Sequence, residues 1–570
     1  MHPLTNRRTF IQSLGAYTAG LGATAALSPK LVGAEKISGA TPAADDEAPI
    51  LQIGDDIAVA STRAGKVRGF ILNGVYTFHG IPYGADTSGD NRFQPPRPPA
   101  PWVGIMPTIW WGDSAPQNME KRYANVYQSF IDHWNYEELS EDCLKLNIWT
   151  PALADKKKRP VIVWLHGGGF FAGNAIEQDG YHGENFARLG DAVFCSLNHR
   201  LGAIGFSNFA GVAGDAFRHS ANVGMLDIVA ALQWVKDNIA SFGGDPDNVT
   251  IIGQSGGGAK VCTLMAMPAA KGLFHKAVAL SGSSLRGVDK SYSEKLGAYI
   301  FAEAGLTSTS VEANAAALRT LQQLPWKEYL AIAERAERKL RSENPAPAGR
   351  RGGFSPVANG IDLPIDTFFS EADGLPHDVP LIVSTTFNET SPSRENSDYE
   401  TITLAEVKEK LKPRFHDATD RVVDAYAKEF PNHKPVEIWS LVASNRQAAI
   451  ATANAKSKQK APVYACWFGW QPPLFDHRMR AFHCSDISFW FYNTDRMFTH
   501  TGGGARPRRL STKMAQTLLH FMRTGSPNGG GLPDWPAYTS ANGETMVLDD
   551  VSAVKNDPDR KARESLPPLS

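Results

Sequence analysis

Ser255 is the residue in this sequence whose setting most clearly predicts chemistry. Residues 253–257 read G-Q-S-G-G and follow the apolar, β-branched run 249–252. A G-x-S-x-G pattern between a strand and a helix is typical of a nucleophile elbow, a sharp turn that exposes a serine hydroxyl above a sheet edge. Such a turn needs glycines beside the strained serine. A bare match arises by chance about once in every few chains of this glycine content, so its context must decide.

A second glycine-rich segment lies upstream of the serine. Residues 160–165 form a continuous apolar run, as expected for a central strand covered on both faces, and H-G-G-G-F follows at 166–170. Consecutive glycines let backbone N–H groups approach a ligand closely, as one side of an oxyanion hole does. A flexible loop is the alternative, but such a loop rarely follows a buried strand without charged or serine residues. The segment therefore predicts donors for a developing oxyanion.

A serine hydroxyl needs a base to remove its proton and an acid to orient that base. On this architecture the chain order is serine, acid, histidine. Glu389 follows the apolar run 379–386 and His483 follows the run 461–468, so both fit that order at strand ends. His477 is an alternative base, although it stands among charged residues typical of a solvated turn. Asp486 is an alternative acid, but it is close to His483 in sequence.

The elements around these residues predict an α/β fold. Apolar runs at 160–165, 192–198, 249–252 and 277–280 alternate with helical patterns. That order predicts a large, mostly parallel sheet with helices on both faces. Residues 222–240 read as a helix with Asn222 as its cap and Gly243-Gly244 at its end. Alternation over 56–84 predicts an antiparallel edge, and 290–350 read as a helical, cap-like insertion.

The composition of the sequence argues against several classes of partner and cofactor. The chain has 570 residues, a net charge of −1 and no long-range field that would gather nucleic acid or an anionic membrane. Five cysteines include no C-x-x-C and no metal-ligand spacing. We therefore expect no metal, no cofactor and no nucleic-acid partner. A bridge between Cys466 and Cys484 stays open.

The N-terminus has the pattern of an export signal. Residues 6–11 read N-R-R-T-F-I and precede a mild apolar run from 14 to 27 that contains glycines and no charge. This is typical of a twin-arginine signal, and the run is too short to span a membrane well. Residues 1–34 are predicted to be the signal, with the mature chain starting at about Glu35 and a flexible spacer over 35–55. The protein is then periplasmic or secreted, without stable membrane insertion.

Taken together, the motifs resemble those of type B carboxylesterases, the α/β-hydrolase family that includes cholinesterases. The matching segments, all read directly from the sequence, are 78–83 (F-H-G-I-P-Y), 140–144 (S-E-D-C-L), 166–170, 198–202 (N-H-R-L-G), 242–246 (F-G-G-D-P), 524–528 (T-G-S-P-N) and 535–538 (W-P-A-Y). The resemblance implies one catalytic domain over 56–555, followed by a tail over 556–570.

By this resemblance Ser255 is the acyl-forming nucleophile, Glu389 the triad acid and His483 the base. The oxyanion donors are the backbone N–H groups of Gly168, Gly169 and Gly256. The implied activity is hydrolysis of a small-molecule carboxylic ester to acid and alcohol, by a monomer or homodimer. The alternatives are a lipase or an esterase for bulky aromatic, plasticiser or pesticide esters and, more remotely, a binding protein that has lost catalysis.

The sequence departs from the family at several positions. Gln254 stands where the family usually has Glu, and Gly256 where it usually has Ala. Without the acidic side chain beside the serine, a preference for cationic choline esters is not expected. Trp134 resembles the choline-binding aromatic residue of cholinesterases, but its spacing is one residue short. Cys143 lacks its usual disulfide partner before Pro116-Gln117, so that bridge is expected to be absent.

Overall fold

The computed structural model describes residues 49–119, 138–306, 310–347, 352–369 and 377–569. Within these ranges a sheet of 12 strands has the order β1-β4-β5-β7-β9-β8-β10-β11-β14-β15-β16-β17. The neighbouring strands from β9 to β16 are all parallel, and the strands outside them are antiparallel. The predicted large, mostly parallel sheet is confirmed.

The strands of this sheet are β1 (Leu51–Gln52), β4 (Phe70–Leu72), β5 (Val75–Pro82), β7 (Lys145–Thr150), β8 (Arg159–Leu165), β9 (Val193–Leu197), β10 (Gly244–Gln254), β11 (Lys276–Leu280), β14 (Leu381–Thr386), β15 (Val463–Phe468), β16 (Glu544–Leu548) and β17 (Ala553–Asn556). The described residues also form two small sheets. One contains β2 (Val59–Ser61), β3 (Lys66–Arg68) and β6 (Ile105–Pro107), and the other pairs β12 (Val288–Asp289) with β13 (Val357–Ala358).

The helices in the described ranges are α1 (Glu184–Gly190), α2 (Gly202–Phe206), α3 (Ala210–Ala213), α4 (Val223–Asn238), α5 (Gly256–Ala266), α6 (Lys290–Glu303), α7 (Val311–Gln323), α8 (Trp326–Glu343), α9 (Pro392–Glu395), α10 (Leu404–Phe415), α11 (Thr419–Glu429), α12 (Pro435–Val442), α13 (Arg446–Lys456), α14 (Ile487–Trp490), α15 (Phe498–Thr501), α16 (Ala505–Thr524) and α17 (Arg560–Arg563).

Two apolar cores cover the two faces of the central sheet. Alternate residues of β8 belong to different cores: Val161 and Val163 pack with α4 and α5, whereas Ile162 and Trp164 pack with α16. Side chains of successive strand residues point to opposite faces, so a strand buried on both faces is apolar throughout. This explains the unbroken apolar run of β8 and confirms that helices lie on both faces.

The predicted helix over 222–240 is present as α4, but its cap differs from the prediction. Asn222 makes no capping hydrogen bond. Its side chain instead accepts a hydrogen bond from Val357 N at 2.8 Å and donates one to Val357 O at 3.0 Å, which ties the helix start to β13. The partner strand is 135 residues away, so tertiary pairing replaces the local cap. Gly243 does end this segment, with a φ of +75°.

The predicted antiparallel edge over 56–84 is divided between two sheets. The hairpin β4–β5 extends the main sheet, whereas β2 and β3 pair with each other and β3 pairs with β6. The β2–β3 pair carries an alternation like that of β4–β5, so the sequence pattern does not distinguish them.

Within the described ranges, two further groups of helices form apolar clusters outside the cores of the sheet. The predicted insertion is present as α6, α7 and α8, which bury their own apolar cluster with Phe93 and Phe209. A second layer, α10 to α12, was missed from the sequence. Its start carries a local signal, because Thr403 and Glu406 form a capping box at α10.

The predictions for the two ends of the chain fall partly outside the described residues. The export signal, nearly all of the spacer and Trp134 lie outside the described residues. In the described ranges no helix is both long and apolar enough to cross a membrane. Residues 556–569 begin in β17 and include α17, whose Ala562 is fully buried against the α10–α12 layer.

Candidate active site

The residues predicted to do chemistry follow strands that end at one edge of the sheet. His166 follows β8, Ser255 follows β10, and Glu389 comes three residues after β14, while His483 lies beyond β15. The strands are parallel, with Gly253 opposite Leu165 and Thr386 opposite Phe468. Sites in such sheets form beyond the carboxyl ends of the strands, and the register brings all four segments to that edge.

Ser255 occupies a strained turn between β10 and α5. Its φ of +57° and ψ of −122° lie outside the regions that a serine ordinarily adopts. The turn is packed so tightly that a Cβ on Gly253 would lie 2.3 Å from Gly257 C. The Ser255 amide donates a hydrogen bond to Leu280 O at 2.8 Å, which anchors the turn to β11. The surroundings hold the strain in place, as expected for a nucleophile elbow.

The glycine loop after β8 lies directly against this turn. Gly168 and Gly169 have φ values of +81° and +64°, which favour glycine. A Cβ on Gly256 would lie 2.5 Å from Gly169 N, and a Cβ on Gly167 would lie 3.5 Å from Ser255 Cβ. The backbone N–H groups predicted to form the oxyanion hole therefore belong to two segments in direct contact beside the serine.

Glu389 and His483 are brought together by an isolated bridge between their neighbours. Asn388 pairs with Phe482, and Asn388 N donates a hydrogen bond to Ala481 O at 3.0 Å. His483 Nδ1 is hydrogen-bonded to Glu389 Oε2, while Glu389 Oε1 accepts a hydrogen bond from Thr386 N at 2.9 Å. The Glu389 side chain is 4% exposed and that of His483 33%. The carboxylate thus fixes the imidazole and leaves it accessible.

The charge state of His483 is set by its neighbours. Desolvation disfavours the imidazolium, but Cys484 and Glu389 outweigh it and hold the pKa of His483 well above its usual value. Asp486 is fully buried nearby, and burial together with the charge of Glu389 raises its pKa to about 7. Burial is thus the main cause of the Asp486 shift, whereas the acidic neighbours Cys484 and Glu389 cause that of His483.

Gln254 links the nucleophile turn to the histidine. Its amide Nε2 lies 3.3 Å from His483 Nε2, and its Oε1 accepts a hydrogen bond from Cys484 Sγ at 3.1 Å. Within the described residues, the Ser255 hydroxyl itself makes no hydrogen bond. In free enzymes the serine–histidine contact is often long and tightens only with substrate bound. In the structure it is the Gln254 amide, and not the serine hydroxyl, that contacts His483 Nε2.

The alternative residues lie in different settings. His477 is exposed in a turn. Asp486 accepts a hydrogen bond from Trp490 Nε1 at 3.3 Å, and it is Glu389 that bonds His483 directly. All five cysteines are free thiols, so the bridge between Cys466 and Cys484 that the sequence left open is not formed. In the described ranges no three His, Cys, Asp or Glu side chains converge as metal ligands would.

One residue beside the site was missed from the sequence. Lys260 lies on α5, fully buried, and its Nζ donates a hydrogen bond to His166 O at 2.9 Å. The available signal was a single lysine within the small and apolar residues 256–266. A charge on a buried face needs a partner, so that lysine marked a position to examine.

Comparison with known proteins identifies the family. The model of the Carboxylesterase family matches residues 56–564. This chain belongs to the carboxylesterase family. The carboxylesterase is 32% identical over 523 residues to the para-nitrobenzyl esterase of Bacillus subtilis, covering 90% of this chain and 98% of that one. It is also 32% identical over 512 residues to the phenmedipham hydrolase of Pseudarthrobacter oxydans, covering 87% and 96%.

Solved structures agree with the sequence relatives. An esterase from Clostridium hathewayi that can hydrolyse aliphatic aromatic polyesters is similar with a TM-score of 0.76 and 32% identity, over 90% of this chain and 98% of that one. The fold is therefore that of an α/β hydrolase, as predicted. Like its relatives, this carboxylesterase hydrolyses carboxylic esters.

Proposed function

We propose that this carboxylesterase works through an acyl-enzyme on Ser255, with His483 as the base and Glu389 as the acid that orients it. The observation that carries the proposal is the hydrogen bond between Glu389 and His483 at the sheet edge where the elbow presents Ser255. The backbone N–H groups of Gly168, Gly169 and Gly256 are the proposed oxyanion donors. Each such donor is worth about 3 kcal/mol of barrier.

In the first half-reaction, Ser255 Oγ attacks the ester carbonyl carbon while His483 Nε2 takes the hydroxyl proton. The carbonyl oxygen becomes an oxyanion held by the three glycine N–H groups. The tetrahedral intermediate then collapses. The bond to the alcohol oxygen breaks, and that oxygen takes the proton from His483.

In the second half-reaction, a water molecule gives a proton to His483 Nε2 and its oxygen attacks the acyl carbon. A second tetrahedral intermediate forms in the same oxyanion hole. Its collapse releases the carboxylic acid, and Ser255 Oγ recovers the proton from His483. Glu389 stays ionised and stabilises the imidazolium in both steps.

We further propose that the substrates are neutral esters carrying an aromatic group. Gln254 places a neutral amide, not a carboxylate, beside the nucleophile. Phe171 is 66% exposed, and its ring packs where a Cβ on Gly169 would lie, 2.6 Å from Phe171 Cε1. An exposed aromatic face at the oxyanion loop suits an aromatic ester. The names of the relatives, para-nitrobenzyl esterase and phenmedipham hydrolase, and the polyester-hydrolysing structure support the same class.

Replacing Phe171 with alanine tests this substrate class. We expect kcat/KM for p-nitrobenzyl acetate to fall about 2- to 10-fold, the value of one aromatic contact, and kcat/KM for ethyl acetate to change less than that. Trp110→Ala, which removes an exposed aromatic ring after β6, is the matched control and should change neither. An equal effect of Phe171→Ala on both esters would rule out recognition of the aromatic group.

We also propose that the protein is exported by the twin-arginine route, on the strength of Arg7 and Arg8 before the glycine-containing apolar run. Replacing both arginines with lysine should leave active esterase in the cytoplasm of a producing bacterium. The unaltered chain should appear in the periplasm or medium, shortened at about Glu35. Equal export of both forms would exclude this route.

A further inference from the structure

A lysine buried behind the active site has no assigned task in ester hydrolysis. Lys260 lies one turn into α5, the helix that begins at Gly256, and is 0% exposed. Burying an ammonium group is unfavourable unless other groups compensate for the lost water. The groups around Lys260 therefore indicate what the lysine does for the protein.

Those groups belong to the oxyanion loop. Lys260 Nζ donates a hydrogen bond to His166 O at 2.9 Å and lies 5.9 Å from the centre of the Phe170 ring. His166 and Phe170 are the two ends of the glycine loop, so one ammonium group contacts the loop where it begins and where it ends. Such contacts restrict a segment that its glycines would otherwise leave mobile.

The buried carboxylate of Glu177 also acts on Lys260. Burial lowers the pKa of Lys260 to about 7, while the negative charge of the buried Glu177 favours the ammonium form. The charge of Lys260 acts in turn on His199, whose pKa burial and Lys260 together hold well below its usual value. The His199 ring stacks on that of His166 at 5.1 Å. Lys260 thus lies at the centre of a buried polar cluster behind the loop.

The position of Lys260 connects the two halves of the proposed oxyanion hole. Gly256 N–H comes from the start of α5, and the Gly168 and Gly169 N–H groups come from the loop. The backbones of Gly169 and Gly256 are in direct contact. Lys260 belongs to the helix and bonds the loop. It therefore joins the two sources of donors by a hydrogen bond.

We propose that Lys260 is a positioning residue for ester hydrolysis, holding the oxyanion loop against the nucleophile helix so that all three N–H groups converge on one oxygen. The proposal rests on the roles given above to Gly168, Gly169 and Gly256. Lys260 touches neither substrate nor reacting atoms. Its effect should appear where negative charge develops on the carbonyl oxygen, and not in binding of the uncharged ester.

The test uses Lys260→Met, which keeps an unbranched side chain one atom shorter and removes its donor and charge, and Lys260→Gln, which retains a neutral donor. With p-nitrophenyl acetate, we expect Lys260→Met to lower kcat about 10- to 100-fold, as a small misplacement of catalytic groups does. KM should stay within about 3-fold, because ground-state binding is unchanged. Lys260→Gln should recover part of the loss.

Inhibition by an alkyl trifluoromethyl ketone separates positioning from stability. Ser255 Oγ adds to the ketone carbon, its proton passes to His483, and the resulting hemiketal oxyanion occupies the oxyanion hole. The affinity for this ketone should fall in Lys260→Met by about the same factor as kcat/KM. A role only in folding would lower the melting temperature and leave the ketone affinity of the folded fraction unchanged.

Lys276→Met is the matched control. Lys276 is a half-buried lysine at the start of β11, the end of the strand away from the site, where its Nζ donates to Asn248 Oδ1 at 2.7 Å. Lys276→Met should lower the stability of the protein but leave kcat and the affinity for the ketone unchanged. A folded Lys260→Met variant whose kcat is within 3-fold of that of the wild type would overturn the proposal. If that variant does not fold, Lys260→Gln with wild-type ketone affinity would overturn it.

These outcomes are distinct from failure of the proposed function. Full activity in Ser255→Ala would remove the acyl-enzyme account and the Lys260 proposal with it. Loss of activity in Ser255→Ala, combined with wild-type kinetics in Lys260→Met, would overturn the Lys260 proposal alone.

Discussion

Replacing Ser255 with alanine is expected to lower kcat on p-nitrophenyl acetate by on the order of 10⁵, because the nucleophile of an acyl-enzyme mechanism is lost. His483, Glu389 and the glycine loop remain in place, so substrate binding should persist. The strained turn keeps its conformation, since alanine adds nothing at this position that serine lacked. The melting temperature should therefore stay close to that of the wild type.

The measurement is steady-state hydrolysis followed at the p-nitrophenolate absorbance, with circular dichroism and thermal melting as checks on the fold. Ser397→Ala removes a hydroxyl from an exposed 3₁₀ turn and should retain full activity. Substantial turnover by purified, folded Ser255→Ala would show that another residue carries the acyl group.

The second large effect is expected from Glu389→Gln. Glutamine has the shape of glutamate but no charge, so it cannot stabilise the imidazolium that forms when Ser255 gives up its proton. An amide can also present an N–H to His483 Nδ1 and so favour the wrong tautomer. We expect kcat to fall by about 10³- to 10⁴-fold, as it does when the acid of such a triad becomes an amide.

The pH profile of the same variant gives an independent readout. His483 must be neutral to accept a proton, so kcat/KM falls as the pH drops below the pKa of His483. The charge of Glu389 helps to raise that pKa. Removing the charge lowers the pKa, and the acid limb of the residual activity should move to lower pH.

Glu395→Gln is the control for this charge removal. Glu395 lies on α9, where its carboxylate pairs with Arg394 at 3.1 Å and is 30% exposed. The Glu395→Gln substitution should leave both kcat and the acid limb of the pH profile unchanged. A loss of less than 10-fold in Glu389→Gln, with an unshifted acid limb, would contradict the assigned role of Glu389.

Much of the arrangement follows from local sequence. The glycines around Ser255 and after β8 indicate that other backbone segments lie very close to them. The structure agrees, because a Cβ atom on Gly253 or Gly256 would collide with backbone atoms. The buried strands are recognisable in the sequence as apolar runs. The chain order of serine, acid and histidine then selects Glu389 and His483, because parallel strands bring their carboxyl ends to one edge.

The remainder depends on contacts between distant segments. Nothing near Asn222 indicates that its side chain will bond β13 and not the helix start. The contacts of Gln254 with His483 and Cys484 depend on the irregular segment that follows β15, which has no periodicity to read. Lys260 appears in sequence only as one charge on an otherwise apolar helix. Its partner, His166 O, is a backbone atom 94 residues away.

The most direct test of the acyl-enzyme account is covalent labelling with diethyl p-nitrophenyl phosphate. Ser255 Oγ attacks the phosphorus, His483 takes the serine proton, and p-nitrophenolate departs to leave a stable phosphoryl-serine. Mass spectrometry of the intact protein and its peptides should find one adduct per chain, on Ser255, and none in Ser255→Ala. An adduct on another residue, or undiminished labelling of Ser255→Ala, would contradict the account.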